Sequence, residues 1–532
     1  MSTFTISSHR RYRELVNAIE CECRVAEWRA GDIDLWPLAS QDLFRDIFRH
    51  AGGDTATQPA PFAVRAASTL ATPAVNLWKS RRDLTHWLPN PHRADAVLLG
   101  DGVSLDRVDG AWRDRFGEPV AAALEQQGRS CFIMQSGNLA RLPWARPTYA
   151  ANLIAGRAAI KAVLTKGAAP HLPDHPAVVR LIERAGIAAP SLAPESVARR
   201  ARIVAAQAEE FDRILGRVKP SVAFVTTYYA GLGHAFALAC RRRGVLCVDL
   251  QHCPHDAFHR AYGWSTLPSR GYSTLPGLFW TWTYDDAANI RRWTDRLGQR
   301  WHGAIAGGHP QIAALRNGEG ERLWQGAAGD RRYDREILVA LQPIGGKTHA
   351  WDMLADAIQA GPAGWRWWIR RHPASTSEQD RAYGKLLSLD QSNVVTGDAA
   401  QIPLPALLGH MDALVSLASG SAAEAAMFGV PAFFLDAEAQ ETFPDLIARG
   451  EGDVVEFATL ISAVADMARR RSHGPPPVAS IDHTLREIDR LAKDYTRLCA
   501  EAADEKVDGG ARVVRERQPP RAIRREHLNR FA

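Results

Sequence analysis

The chain has 532 residues, 46% of them hydrophobic and 23% charged, a length that exceeds one hydrophobic core and predicts two globular domains. Its formal net charge is +6, yet seven arginines against two glutamates place +5 of this in residues 511–532, so the body is close to neutral. With no helix-turn-helix, finger or RNA-binding pattern beside that charge, nucleic acid is excluded as a partner. No run of eighteen apolar residues and no apolar leader segment occurs, and the seven scattered cysteines fit a reduced compartment, so a cytosolic chain is expected.

Residues 12–19 and 41–49 carry helical periodicity, and a Gly/Thr/Pro-rich break follows at 52–61. A strand is predicted at 94–99, then the loop Gly100-Asp101-Gly102 and a helix over 112–127. Helical patterns at 150–164 and 177–185 lead into a long amphipathic helix, 195–215. Next comes a βαβ unit: strand 221–226, a glycine-containing loop 228–234, helix 234–243 and strand 246–250. Gln251-His252-Cys253 closes it. The spacing of His252, His255 and His259 is that of ligands on a helix, but Pro254 breaks the helix they would need, so no metal site is predicted.

Farther along, the boundary between the two domains is placed near residues 304–310, giving residues 1–305 and 306–475. A helical segment, 476–510, contains a predicted helix over 484–502 and precedes the basic tail. That tail has two readings, a solvated end or an attachment to anionic lipid headgroups.

Three polar loops in the second half carry the chemistry, each after a predicted strand. Gln342-Pro343-Ile344-Gly345-Gly346-Lys347 is the first, and Arg370-Arg371-His372-Pro373, after strand 365–369, is the second. The third is Ser419-Gly420-Ser421, where small residues let a helix start approach an anion while two hydroxyls donate to it. Glu424 lies one turn into that helix, where a carboxylate can accept from vicinal hydroxyls; Gly429 and Pro431 then end the helix before strand 432–435. An α/β sheet collects such loops at its carboxyl edge, and phosphate is the ligand these residue types suit. Taken singly, each loop is also compatible with an ordinary doubly wound domain.

At these residues the chain resembles the nucleotide-binding domain of GT-B glycosyltransferases that carry a His-Pro and a Ser-Ser motif. That group includes bacterial sialyltransferases, Kdo-type capsule transferases and, more distantly, glycerophosphotransferases of teichoic acid synthesis. The resemblance spans roughly residues 221–470, with Gly420 in place of the second serine and Ser421 beside it. It implies an α/β fold of two Rossmann-like domains facing a cleft, with a nucleotide-sugar donor, CMP-sugar favoured over UDP or GDP. His372 and Ser419 would contact donor phosphate and Glu424 the ribose, with Gly345, Gly346, Lys347, Arg371, Pro373, Gly420 and Ser421 completing the site; Arg370 is the alternative to Arg371. Neither cofactor nor metal is implied. Gln251-His252-Cys253 resembles the Gln-His-Gly of related N-terminal domains, and Gly-Gly-His-Pro the Gly-Asn-Pro bend between domains.

An inverting transferase needs a base on the acceptor hydroxyl. Asp101, whose loop is similar to the acidic-Gly motif of sialyltransferases, is the first candidate, with a turn aspartate as the alternative reading. His252 is the second, with a buried structural histidine as its alternative, followed by Asp256 and His255. The expected activity is transfer of a sugar to a surface-polysaccharide or lipid-linked acceptor, by a cytoplasmic enzyme at the inner face of the plasma membrane. A CDP-alcohol phosphotransferase and a non-catalytic scaffold in polysaccharide assembly are the alternatives.

Overall fold

Short, uninterrupted apolar runs such as AVLLG at 96–100 and VAFVT at 222–226 have no polar face to give to water, so they are stable only inside a sheet covered on both sides. The computed structural model describes residues 9–51, 90–137, 141–255, 259–315, 318–329, 332–342, 348–372, 375, 377–389, 392–467 and 480–508. Two hairpins, β1 (Arg29–Ala30) with β2 (Ile33–Asp34) and β4 (Leu105–Val108) with β5 (Ala111–Asp114), stand apart from the main sheets.

The first main sheet contains β3 (Ala96–Gly100), β6 (Cys131–Gln135), β7 (Thr148–Ala150), β8 (Val222–Thr226), β9 (Leu246–Leu250), β10 (Leu278–Thr281) and β11 (Gly303–Ala306). All pairs are parallel, in the order β11-β10-β9-β8-β3-β6-β7. The second holds β12 (Arg335–Ala340), β13 (Trp365–Arg370), β14 (Val394–Val395), β15 (Ala413–Ser416), β16 (Ala432–Phe434) and β17 (Gly452–Val454), parallel in the order β14-β13-β12-β15-β16-β17. Counted within each sheet, both orders begin 3-2-1-4-5-6, the doubly wound arrangement, with switch points between β3 and β8 and between β12 and β15.

Alternate residues of each strand enter different cores. Val97, Leu99, Phe132 and Val225 pack with the N-terminal helices through Tyr12, Ile19, Trp28 and Trp36, while Ala96, Leu98, Val222 and Phe224 face the opposite core. In the second sheet, Val339, Trp367 and Val415 enter one core and Leu338, Trp368 and Leu414 the other.

The last helix, Ile481–Asp508, returns to the first sheet. Leu485, Ile488 and Tyr495 join the core that holds Val222, Leu246 and Trp280, while Asp489 pairs with Arg129 at 2.9 Å and Asp482 accepts from Gln127 at 2.9 Å. Burying Leu485 and Ile488 contributes about 1.5–3 kcal/mol each. Two Rossmann-like domains closed by a returning helix make the GT-B fold. Among the described residues no helix is long and apolar enough to cross a membrane.

The helix expected over 112–127 is shorter than its pattern. Trp112 and Arg113 belong to β5, because Asp109 and Gly110 take left-handed φ of 50° and 79° and turn β4 back into a two-residue hairpin. The helix starts only at Gly117, whose N–H and that of Phe116 are accepted by Asp114 Oδ1 at 2.7 and 3.1 Å.

Candidate functional site

Because β13, β12 and β15 are adjacent and parallel, with Ala340 level with both Arg370 and Ser416, the loops that follow them lie side by side at one carboxyl edge. Gln342 Oε1 accepts from Ala418 N–H at 2.7 Å, tying the first loop to the third. Ser416 Oγ accepts from Ser419 N–H at 3.2 Å, and Ser419 Oγ accepts from Ser421 N–H at 3.3 Å while lying 2.8 Å from Ser421 Oγ. The two hydroxyls form one polar pair at the start of the short helix Ser421–Ala426. Gly420 lets the facing domain come close, since a Cβ there would stand 3.3 Å from Pro254 Cδ, in the loop after β9.

His372 follows β13 and is half-buried; burial, then the Arg115 and Arg370 guanidinium charges, push its imidazole below the usual range and keep it neutral at pH 7. Arg371 turns outward and pairs with Asp380 at 3.4 Å. Arg370 is the buried one of the two. It donates to the carbonyls of Ala400 and Ile402 at 2.9 and 2.5 Å, and its Nη2 lies 3.9 Å from Asp106 in the other domain. Burial, with Arg115 second, pushes its guanidinium down to about 10. Gly345, Gly346, Lys347, Pro373, Asp256 and the basic tail lie outside the described residues.

Across the cleft, Asp106 on β4 is buried and accepts from Arg115 Nε at 3.0 Å and Gln311 Nε2 at 2.5 Å. Burial opposes the Arg115 charge, but Asp106, then Glu424, hold it above its ordinary pKa. Asp101 accepts four hydrogen bonds: from Val103 N–H and Ser104 N–H at 2.8 Å each, and from Ser104 Oγ and Thr227 Oγ1 at 2.9 Å each. Three of these close its own turn. The fourth joins the loops after β3 and β8 across the switch point, where Thr227 sits at a left-handed φ of 60°.

His252 follows β9, with Nε2 3.0 Å from Tyr229 Oη and 3.5 Å from Cys253 Sγ. Burial pushes it down to about 4, against the pull of the Asp101 charge. His255 is fully buried, with its ring 3.5 Å from that of Tyr262, and burial holds it well below the usual histidine range. Both of its ring nitrogens are buried without a hydrogen-bond partner. All seven cysteines are free thiols.

The bend supplies a group that sequence reasoning took only as a domain marker. His309 Nδ1 accepts from Ile312 N–H at 3.3 Å, so the ring proton sits on Nε2 and points to Glu424 Oε1, 3.2 Å away in the second domain. The ring is buried against Trp282 and Phe116, with centroids 4.4 and 5.4 Å distant. Asp106, Arg115 and Gln311 were likewise missed; the one local signal was Asp109-Gly110, a hairpin dipeptide that would have brought Asp106 on one strand near Arg115, the residue after the other. Together the cleft offers two guanidinium groups, an imidazole and two hydroxyls to an anion, and one oriented carboxylate to a diol.

No family model and no curated protein sequence matches the chain. Solved structures similar to it include the Methanocaldococcus jannaschii UDP-GlcNAc 2-epimerase in complex with UDP-GlcNAc and UDP, 14% identical over 75% of this chain and 99% of that one, with a TM-score of 0.46. The Neisseria meningitidis UDP-GlcNAc 2-epimerase bound to UDP-GlcNAc is 13% identical over 75% and 99%, with a TM-score of 0.43. The glycosyltransferase SnogD from Streptomyces nogalater is 16% identical over 76% and 100%, with a TM-score of 0.37.

Proposed function

We propose that the chain is a metal-independent glycosyltransferase that moves a sugar from a nucleotide donor, CMP-sugar favoured, to a surface-polysaccharide or lipid-linked acceptor at the inner face of the plasma membrane. Residues 306–475 form the donor domain and residues 1–305 the acceptor domain. The observation that carries this reading is the convergence of His372, Ser419, Ser421 and Glu424 at one carboxyl edge, opposite Asp106 and Arg115. Donor phosphate lies against the serine hydroxyls and His372, with the buried Arg370 and Arg115 supplying positive charge as the leaving group separates. Glu424, held by His309, accepts from the ribose hydroxyls. His252 takes the acceptor proton in preference to Asp101, whose oxygens are committed to four hydrogen bonds. The Asp101 charge then stabilises the imidazolium that forms.

Thermal melting of the wild-type chain and of His372→Ala with CMP, CDP, UDP and GDP tests the reading. One nucleotide should raise the wild-type melting temperature and do so less in the variant. A chain that no nucleotide stabilises is not a transferase of this kind.

A further inference from the structure

A second polar cavity lies on the flank of the first domain, where the helix Trp36–Ala51, the turn Pro190–Leu192 and the start of the helix Pro194–Val218 meet. It is open to the surface and has a volume of about 320 Å³. Among the described residues, Arg45, Arg199, Arg200, Asp42 and Asp46 line it, and Ile203 is the one apolar side chain that does. Three guanidinium groups against two carboxylates leave one net positive charge.

The internal contacts do not use that charge up. Asp42 pairs with Arg45 at 2.5 Å and also forms an ion pair with Arg200 Nε, at 3.7 Å longer than a hydrogen bond, so two guanidinium groups share this one carboxylate. Asp46 accepts from the backbone N–H of Ser191 at 2.9 Å. Arg200 Nε and Ser191 Oγ are buried atoms with no hydrogen-bond partner, and both residues line the cavity. Buried polar atoms are nearly always bonded, so these two call for a partner. Burial accordingly pushes the Arg200 guanidinium below its usual range, against the pull of Asp42. Ser196, in the first turn of the 25-residue helix Pro194–Val218, places the positive end of that helix dipole at the same wall.

We propose that this cavity binds an oxyanion carried on a polar, sugar-sized body, a sugar phosphate or an acidic saccharide. The net charge and the two unpartnered donors call for an oxyanion. The volume, at the lower end of the roughly 300–1,000 Å³ of small-molecule sites, calls for a body larger than phosphate, and the polar lining calls for a hydrophilic one. No residue of the cavity belongs to the cleft, so this site stands independently of the donor reading.

Calorimetric titration of the full chain with glucose 1-phosphate, glucuronate, inorganic phosphate and glucose tests the site. Glucose 1-phosphate or glucuronate should bind, the tighter of them identifying the anion, and glucose should not. Arg200→Gln should weaken that binding tenfold or more and Ser191→Ala severalfold, with His372→Ala leaving it unchanged. If Arg200→Gln folds poorly, the exposed Arg199→Gln replaces it, with a severalfold loss expected. Binding of neutral glucose as tight as that of the anions, undiminished affinity in the cavity variants, loss in His372→Ala, or no binding at all would each overturn the proposal; inorganic phosphate binding alone reduces it to an adventitious ion only.

Discussion

The two sheets share a strand order but present different edges to the cleft. At the first, side chains are fixed by their neighbours: Asp101 accepts four hydrogen bonds, His252 Nε2 meets Tyr229 Oη, and the His255 ring is stacked on Tyr262 with both its nitrogens unpartnered. Beneath them Asp249 is buried between Tyr228 N–H and Tyr262 Oη, at 3.0 and 2.9 Å. The second edge sets His372 and Arg370 beside a loop of serine, glycine and alanine, whose serine hydroxyls bond to one another and to backbone. One topology has thus been made into a wall on one side and a cradle on the other. A wall fixes shape and a cradle offers donors, which suits an acceptor facing the first and an anion facing the second.

The largest expected effect strikes the cradle. His372→Ala should cost about 2–4 kcal/mol of transition-state stabilisation with circular dichroism unchanged. Turnover equal to wild type would show that the reacting edge is elsewhere.

Next comes the wall. Burial raises the Asp249 carboxyl to about 8, against an unfolded value near 4, so the stability it contributes is complete below about pH 4 and is lost as pH rises through about 8. Urea midpoints should therefore fall from pH 5 to pH 8 more in wild type than in Asp249→Asn. Parallel curves would mean that the carboxyl titrates normally.

A smaller effect lies where the two edges meet. Glu424→Gln should weaken nucleotide affinity by about 1–3 kcal/mol, His309→Gln by somewhat less, and the double variant no more than Glu424→Gln alone, because the imidazole acts through the carboxylate. Additive losses by calorimetry would separate the two residues.

The smallest change expected is Asp101→Asn, which should lower stability by about 1 kcal/mol through its turn. It should also slow transfer by less than tenfold. A thousandfold loss of rate would move Asp101 from the wall to the chemistry.

Sequence alone was sufficient where the signal is local. Apolar runs such as VAFVT and LCVDL announced β8 and β9, and the consecutive Ser419, Gly420 and Ser421, with Glu424 three positions on, announced a loop running into a helix. Short strands left little to read: β7 has three residues and β11 four, and a loop of that length carries as many apolar residues. The end of β5, residues 112–114, was read into a helical pattern because Trp112 and Phe116 fall four apart. What could not be read was pairing at a distance. His309 and Glu424 are 115 positions apart, and nothing in either neighbourhood names the other. Arg370 and Asp106 meet only when both sheets are in place.

The returning helix Ile481–Asp508 also sets an order of events during synthesis. Val222, Leu246 and Trp280 leave the ribosome before the second domain, yet the side chains that cover them, Leu485, Ile488 and Tyr495, are made only after it. Throughout the synthesis of the second domain, the first carries an open apolar face. The nascent chain folds as a parenthesis, with the second domain enclosed between the two halves of an unfinished first one, and a ribosome that stalls in between releases a product with that face bare.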